Sequence, residues 1–588
     1  MALRLWLSSS VYLQLSAASG SSAKFSPNNI AASAKGGIRL PNEILARIFL
    51  EVAPLELVKC RRVCRRFRCL IDDTPSLQYG LECALAGVVP VPSKRHGLQS
   101  ALDNLRKWRE SSIALDQTDD YELPFTYATG AERLPGSNTV VARTCVAQVH
   151  PQKDILITQL RSRYRGISPK QWTVKPRSES TPLFFEMDQA QDLFAVVEMM
   201  SVIPFLAMNN KPNWGGPNSV VGDVLLGFKI DSFSLTTGER HPLGSRRTIK
   251  ADVSPVTADA QVRLSISNDH LGLVLFGNRR PASHSEIWVW NWKTGECKLN
   301  AYGLGEDGEL NASSLIFLDE MHVLVPSWVP LGRFHQPDKL GLRILSYNPG
   351  SKERKEYEKV DAVAELKLPE LGRRICLLQF DGAGNPWSSQ RPSPDFDVPF
   401  DTSMHSRIFV FNIVLASIDY HVPVYYTLFA PMDLFRRCCS APLSTIIDWE
   451  SWSSDARMIR KVPSGIISDG HVFQTRALFP EYYTGPDKDT NDASRDPTFV
   501  IYDFSCPAAL RRDAASNKFT NCEYIFEPTR LPNDERAWRH QIVTGEALPF
   551  RKIWTGITLS LQSAMFSLVE DCLIVGEEGG TSWRIKQF

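Results

Sequence analysis

A strand–turn–strand phrase that returns every fifty-odd residues constrains this chain more than anything else in it. Residues 231–243 (DSFSLTTGERHPL) parallel 286–299 (EIWVWNWKTGECKL), each an alternating strand, a Thr-Gly turn and a return strand. Residues 342–357 (LRILSYNPGSKERKEY) follow the same plan with Asn348-Pro349-Gly350 as the turn. The turn glycines Gly238, Gly295 and Gly350 stand 57 and 55 residues apart. A second phrase echoes in Asp192-Leu193-Phe194-Ala195-Val196-Val197, Asp269-His270-Leu271-Gly272-Leu273-Val274 and Asp571-Cys572-Leu573-Ile574-Val575. From about Tyr127 onward the hydrophobic period is two, in runs rich in Val, Ile, Phe and Trp bounded by Gly, Asn, Asp and Pro. Several strands per repeat at this period predict propeller blades, small antiparallel sheets apolar on both faces and covered only by their neighbours. About 460 residues at roughly 57 each allow six to eight blades, with the irregular region after Glu358 read as insertions.

The phrase Ile287-Trp288-Val289-Trp290-Asn291 followed by Thr294-Gly295 resembles the end of a WD-type repeat. Asn291 stands where Asp is usual and no regular Gly-His partner occurs, so a diverged propeller is expected.

Upstream the period is helical. Pro41 reads as a first-turn proline, and Ile44, Leu45, Ile48, Phe49 and Val52 fall on one stripe. Pro54 ends that helix and opens a second, with Leu57, Val58, Val63, Cys64 and Phe67 as its apolar set. A third starts at Thr74-Pro75 and runs through Leu77, Leu81, Ala84 and Leu85 to Gly87 as the stop. Three helices in fewer than 50 residues bury too little to stand alone comfortably, so such a unit completes its core against a partner.

These residues resemble the F-box motif: Leu40-Pro41-x-Glu43-Ile44-Leu45-x-x-Ile48-Phe49, then Pro54-x-x-Leu57, then Val63-Cys64-Arg65-x-Phe67-x-x-Leu70 and Pro75-x-Leu77, without gaps over about 38 residues. The continuation Leu77-Gln78-Tyr79 to Ala86-Gly87, with Leu102-x-x-Leu105-x-x-Trp108-Arg109 beyond it, looks like fungal F-box proteins; Phe67 stands where many members place Trp. The resemblance implies docking on the adaptor subunit of an SCF ubiquitin ligase, and through it on a cullin, while the rest of the chain selects a target protein. Leu40, Pro41, Ile44, Ile48, Phe49, Leu57, Val63, Cys64 and Phe67 match the docking surface; the competing reading is that they fill a private core. The alternatives kept open are a ligase-independent F-box scaffold and a propeller hydrolase whose channel gathers carboxylates or histidines of perturbed pKa.

The expected organisation is an α+β multidomain chain: a leader at 1–37, a small three-helix F-box module at 38–87, a helical linker at 88–125 and a large all-β, propeller-like recognition domain at 126–588. No catalytic residue, cofactor or metal is implied. Gly303-Leu-Gly305-Glu-Asp-Gly308 matches G-x-G-x-x-G, but it lies between strands and carries Glu306 and Asp307, which repel a pyrophosphate. Lys59, Arg61, Arg62, Arg65, Arg66 and Arg68 are read as a solvated helix face, and Cys60, Cys64 and Cys69 as small hydrophobes. Arg246-Arg247 and Arg373-Arg374 are candidate phosphate readers of low specificity. A net charge of +1 supplies no field to steer the chain toward nucleic acid or acidic lipid. Twelve thinly spread cysteines fit free thiols in a reducing compartment, cytoplasm or nucleus. The leader, without Asp or Glu in residues 1–42 and with nine serines, reads as disordered, with an organelle transit segment as the alternative. The most apolar run, Ile408 to Ile418, is too short to span a membrane and reads as a buried strand or two.

Overall fold

The computed structural model of the chain describes residues 40–588 apart from 116–118, 125–138, 143–144, 150–153, 176–183, 200–201, 205–222, 245–247, 258–260, 277–284, 304–310, 329–339, 348–354, 357–359, 361, 373–374, 385–396, 418–422, 462–470, 482–497, 532–536, 559–563 and 578–581. The leader, most of the Gly303–Gly308 phrase, Gly350, Arg246-Arg247 and Arg373-Arg374 lie outside the described residues. The described helices are α1 (Asn42–Leu50), α2 (Pro54–Cys60), α3 (Arg65–Asp73), α4 (Pro75–Ala86), α5 (Leu98–Ala114), α6 (Met432–Cys439) and α7 (Pro507–Ser516). Two compact units divide the chain, residues 1–77 and 78–588, and the division falls inside α4.

The first unit is helical, with one difference from expectation: the second helix of the sequence reading is two. Helix α2 stops at Cys60, the backbone turns through Arg61–Val63, and Cys64, extended at φ −159° and ψ 164°, caps α3 by accepting the Phe67 N–H on its sulfur. A side-chain acceptor at this position satisfies one of the orphan donors of a helix start.

The second unit is a seven-bladed propeller. Blade one is Thr139–Ala142, Cys145–Val149, Ile155–Gln159 and Lys170–Val174. Blade two is Phe184–Asp188, Leu193–Met199, Asp223–Ser234 and Ile249–Thr257, and blade three is Gln261–Ser267, His270–Phe276, Ser285–Asn291 and Glu296–Gly303. Blade four is Ile316–Phe317, His322–Trp328, Leu340–Ser346 and Ala362–Lys367; blade five is Ile375–Ala383, Ile408–Ser417, Pro423–Pro431 and Arg457–Lys461. Blade six is His471–Phe473, Arg476–Glu481, Thr498–Asp503 and Phe550–Thr558. Blade seven takes three strands from one end, Ala564–Leu568, Cys572–Glu577 and Ser582–Gln587, and its fourth, Asp119–Pro124, from the other. That antiparallel pair, Asp119↔Gln587 to Pro124↔Ser582, closes the ring and removes the edge an open sheet would expose.

The second phrase of the sequence pattern is the start of the second strand in blades two, three and seven. Gly238 and Gly295 turn the chain after the third strand of blades two and three at φ +73° and +76°, where a Cβ is strained. One hydrogen bond unites blades two to seven: the residue after the third strand donates its N–H to the carbonyl of the residue before the second. The pairs are Leu235 to Asp192, Trp292 to Asp269, Tyr347 to Met321, Met432 to Arg407, Phe504 to Thr475 and Phe588 to Asp571, at 2.7–3.1 Å. Every one of those donors carries a large buried apolar or aromatic side chain, and Leu160 occupies the same place in blade one. The bond ties the register of the second and third strands, and the side chain packs in a cluster shared with the preceding blade.

Insertions explain the irregular spacing. Second strands begin at His270 and His322, 52 residues apart, but at Arg476 and Cys572, 96 apart. Helix α6 lies between the third and fourth strands of blade five, and helix α7 between those of blade six. The Ile408 run is a single strand, buried along all but its last residue.

Residues 78–124, where a connector was expected at 88–125, pack into the second unit. Val88–Pro90 pairs antiparallel with Phe400–Thr402, and Tyr79, Cys83, Val88, Ala101, Leu102, Leu105, Trp108 and Phe400 form one buried cluster. Trp108 Nε1 donates to Asp571 Oδ1 at 2.6 Å, and Asn521 Nδ2 to the Ile113 and Ala114 carbonyls at 3.2 and 3.3 Å. Behind α5 runs a buried charge chain in which Arg551 binds Asp503 at 2.6 Å and Asp513 at 2.8 Å. Arg109 also binds Asp513, and Arg476 reaches Asp503 at 3.3 Å. No helix among the described residues is long and apolar enough to cross a membrane.

Candidate functional site

The nine residues matched to a docking surface divide by burial, because adjacent positions of an amphipathic helix face different ways. In α1, Phe49 is buried beside Leu45, whereas Ile44 is 42% exposed; Leu40, just ahead of the helix, is 36% exposed. Pro41 is exposed and sits at the N-cap, one residue outside the helix rather than within its first turn; Ile48 is half-buried. In α2, Leu57 is buried, and Leu55 at its start is 41% exposed. Val63, on the turn that splits the expected second helix, is 68% exposed, and Cys64 beside it is exposed.

Phe49, Leu57, Ile71 and Leu77 make a small core, with Val52, Cys60, Phe67 and Leu70 packed around it. Phe67 meets Phe49 edge to face, centroids 5.0 Å apart at 81°, a preferred geometry for an aromatic pair. So Phe49, Leu57 and, in part, Phe67 hold the module together, while Leu40, Pro41, Ile44, Val63 and Cys64 stand on its surface. Leu50, 53% exposed, and Leu55 join the exposed apolar set although both lie off the helical stripe, which hides them from a periodicity argument.

The cationic run is more than a solvated face. Arg66 brackets the entry to α1, donating to Asn42 Oδ1 at 2.9 and 3.0 Å and to the Leu40 carbonyl. Arg61 pairs with Asp72 at 2.9 Å and Lys59 with Glu56 at 2.8 Å, while Arg62, Arg65 and Arg68 are exposed. Burial first, then Glu56, pushes the Cys60 thiol up, which suits a packing residue.

First strands of neighbouring blades meet between blades one and two, two and three, and six and seven. Arg263 of blade three reaches Asp381 of blade five at 3.3 Å, so that carboxylate is matched by a cation. Glu186 of blade two is pushed up to about 8, by burial first and then Asp188, against the pull of the Met187 N–H. These innermost charges belong to different blades.

Residues 38–79 match the model of the F-box-like family. No curated protein matches the chain. Among solved structures, the polysaccharide lyase Uly1 aligns over 79% of this chain and 92% of its own at 8% identity, with a TM-score of 0.35, a likeness that carries no argument about activity. The chain thus joins an F-box-like helical module to a seven-bladed β-propeller.

Proposed function

We propose that the chain is a non-catalytic, substrate-recognition subunit of an SCF-type ubiquitin ligase, its helical module docking on the adaptor subunit and its propeller binding a target protein. One observation carries the reading: the segment that matches the F-box-like family leaves Leu40, Ile44, Leu50, Leu55 and Val63 exposed around the small core of Phe49, Leu57, Ile71 and Leu77. Scattered apolar residues on a surface are ordinary, but five within 24 residues of so small a unit fit a partner's cover. Such a subunit accelerates ubiquitin transfer by holding a target near a charged enzyme, so proximity does the work and no active site is required of this chain.

The exposure makes the test clean. Leu40→Ala with Ile44→Asp alters two surface side chains, so the module stays folded while an uncompensated charge enters the interface. Loss of co-purification with the adaptor, with unchanged helical circular dichroism, is expected. Retained binding would overturn docking through this surface. Adaptor without cullin in the purified complex would favour the scaffold reading.

A further inference from the structure

Asp319 and His322, neighbours in one turn, meet Cys439 from a distant part of the chain. Asp319 and His322 form the turn between the first two strands of blade four, and Cys439 is the last residue of α6 in blade five. The turn is pinned from several sides. The Asp319 carboxylate accepts the Met321 and His322 N–H groups at 2.7 and 2.8 Å and the His322 Nδ1 at 2.8 Å, and the Tyr347 hydroxyl donates to the Asp319 carbonyl at 2.9 Å. One donor atom from each of Asp319, His322 and Cys439 lies within 4.8 Å of the other two.

Two chemistries use a thiol, an imidazole and a carboxylate together. A nucleophilic triad needs a thiol that ionises easily. Here Cys439 is the last residue of α6, at the negative end of the helix dipole, which disfavours a free thiolate. A divalent cation resolves the same arrangement: it displaces the thiol proton, Cys–SH + M²⁺ giving a Cys–S–M bond and H⁺, and it offsets the Asp319 charge beside the sulfur. Thiolate with imidazole selects zinc-like ions over calcium or magnesium, which take oxygen. A tetrahedral zinc ion, at about 2.3 Å from sulfur and about 2.0–2.1 Å from nitrogen, sets its donors roughly 3.3–3.6 Å apart, so a pair at the 4.8 Å limit closes by about 1.2–1.5 Å while Asp319 and His322, at 2.8 Å, part slightly. All three residues are half-buried, and Met321 in the same turn is 51% exposed.

We propose that Asp319, His322 and Cys439 form a site for a borderline-soft divalent transition-metal ion, zinc(II) foremost, which joins blade four to blade five and keeps a position open to water. Three protein ligands with a vacant fourth are the donor count of an open zinc site.

Full-length protein, stripped with a chelator and kept reduced, is titrated with zinc(II) against a chromophoric competitor and separately with cobalt(II). One equivalent of zinc is expected to bind in competition, and one of cobalt to give a thiolate-to-metal charge-transfer absorption. Cys439→Ser abolishes the absorption and weakens zinc binding by more than the roughly 10–100-fold typical of an outer-shell change. His322→Gln weakens zinc binding likewise, and Cys438→Ser leaves both readouts intact. Absence of the charge-transfer band in the unmodified protein at one equivalent overturns the site without recourse to any variant. The same band and affinity in Cys439→Ser overturns it equally.

Discussion

Arg457 gives the sharpest test of how the inserted segments of the propeller are held. It begins the outer strand of blade five, is wholly buried, and spends its guanidinium on neutral acceptors of the segment before the last strand of blade six. Nε donates to the Leu548 carbonyl at 2.8 Å, Nη1 to the Glu527 carbonyl at 3.0 Å and Thr529 Oγ1 at 2.8 Å, and Nη2 to the Gly545 carbonyl at 2.6 Å. Burial lowers its pKa to about 10, which still leaves it charged at neutral pH. Hydrogen bonds to a charged donor are worth about 1.5–3 kcal/mol each, but Arg457→Ala also relieves the cost of burying the charge. The four acceptors left without a donor cost about 1–3 kcal/mol each, and set against the relieved burial of the charge the net loss is about 3–5 kcal/mol. Gly545, at φ +78°, approaches so closely that a Cβ there would lie 2.4 Å from Arg457 Nε. Gly545→Ala therefore combines about 1–2 kcal/mol of left-handed strain with about 1–3 kcal/mol of overpacking. In the Arg457→Ala background only the strain remains, so the cycle predicts a coupling of about 1–3 kcal/mol. Hydrogen exchange of amides in 526–531 and 537–549 of the full chain reads the local opening directly. Arg457→Ala should speed exchange there by roughly two to three and a half decades, at about 1.4 kcal/mol per decade. Unchanged protection, or a cycle additive within about 0.5 kcal/mol, refutes the anchoring role.

The charge chain behind α5 predicts an acid limit. Burial pushes the Asp503 carboxyl up, but Arg551 and Arg476 outweigh it and hold the group well below the carboxylate range. A depressed folded pKa stabilises above the unfolded value of about 3.9 and loses that contribution as pH falls toward the folded one. Thermal midpoints should thus drop below about pH 4, and Asp503→Asn should lose about 3–5 kcal/mol at pH 7 with a shallower acid limb; parallel limbs would count against the pairing. Ring closure predicts a second contrast: a 75–588 fragment should be monomeric by light scattering and melt cooperatively, whereas 126–588, without Asp119–Pro124, should associate through the bared Ser582–Gln587 edge. A monomeric, cooperative 126–588 would refute the need for that strand.

What could be read from the residues was what depends on near neighbours. The first helix and the turn glycines at 238 and 295 are set by spacings of a few residues and reappear in the fold, although the helix stops at Leu50, short of Val52, and leaves Ile44 exposed. The break after Cys60 was harder to see, because Val63 and Cys64 keep an apolar rhythm although one is exposed and the other caps the next helix. Which side of α1 is buried was illegible, since Ile44 and Leu45 differ only in which way the module packs. The recurring signal that would have fixed the blades is the large apolar residue just past each third strand, Leu160, Leu235, Trp292, Tyr347, Met432, Phe504 and Phe588. Its identity varies and its spacing is stretched by α6 and α7, so no fixed period reveals it. The Asp319–His322–Cys439 trio spans 120 residues and two blades, beyond any motif spacing.

The strand that locks the toroid has a consequence for how the protein is made. Its partner is translated 463 positions later, counting from Asp119 to Ser582. At about 5–20 residues per second, roughly half a minute or more passes in which Asp119–Pro124 has left the ribosome and has nothing to pair with. The helical module preceding it is by then already synthesised, long before the ring is shut.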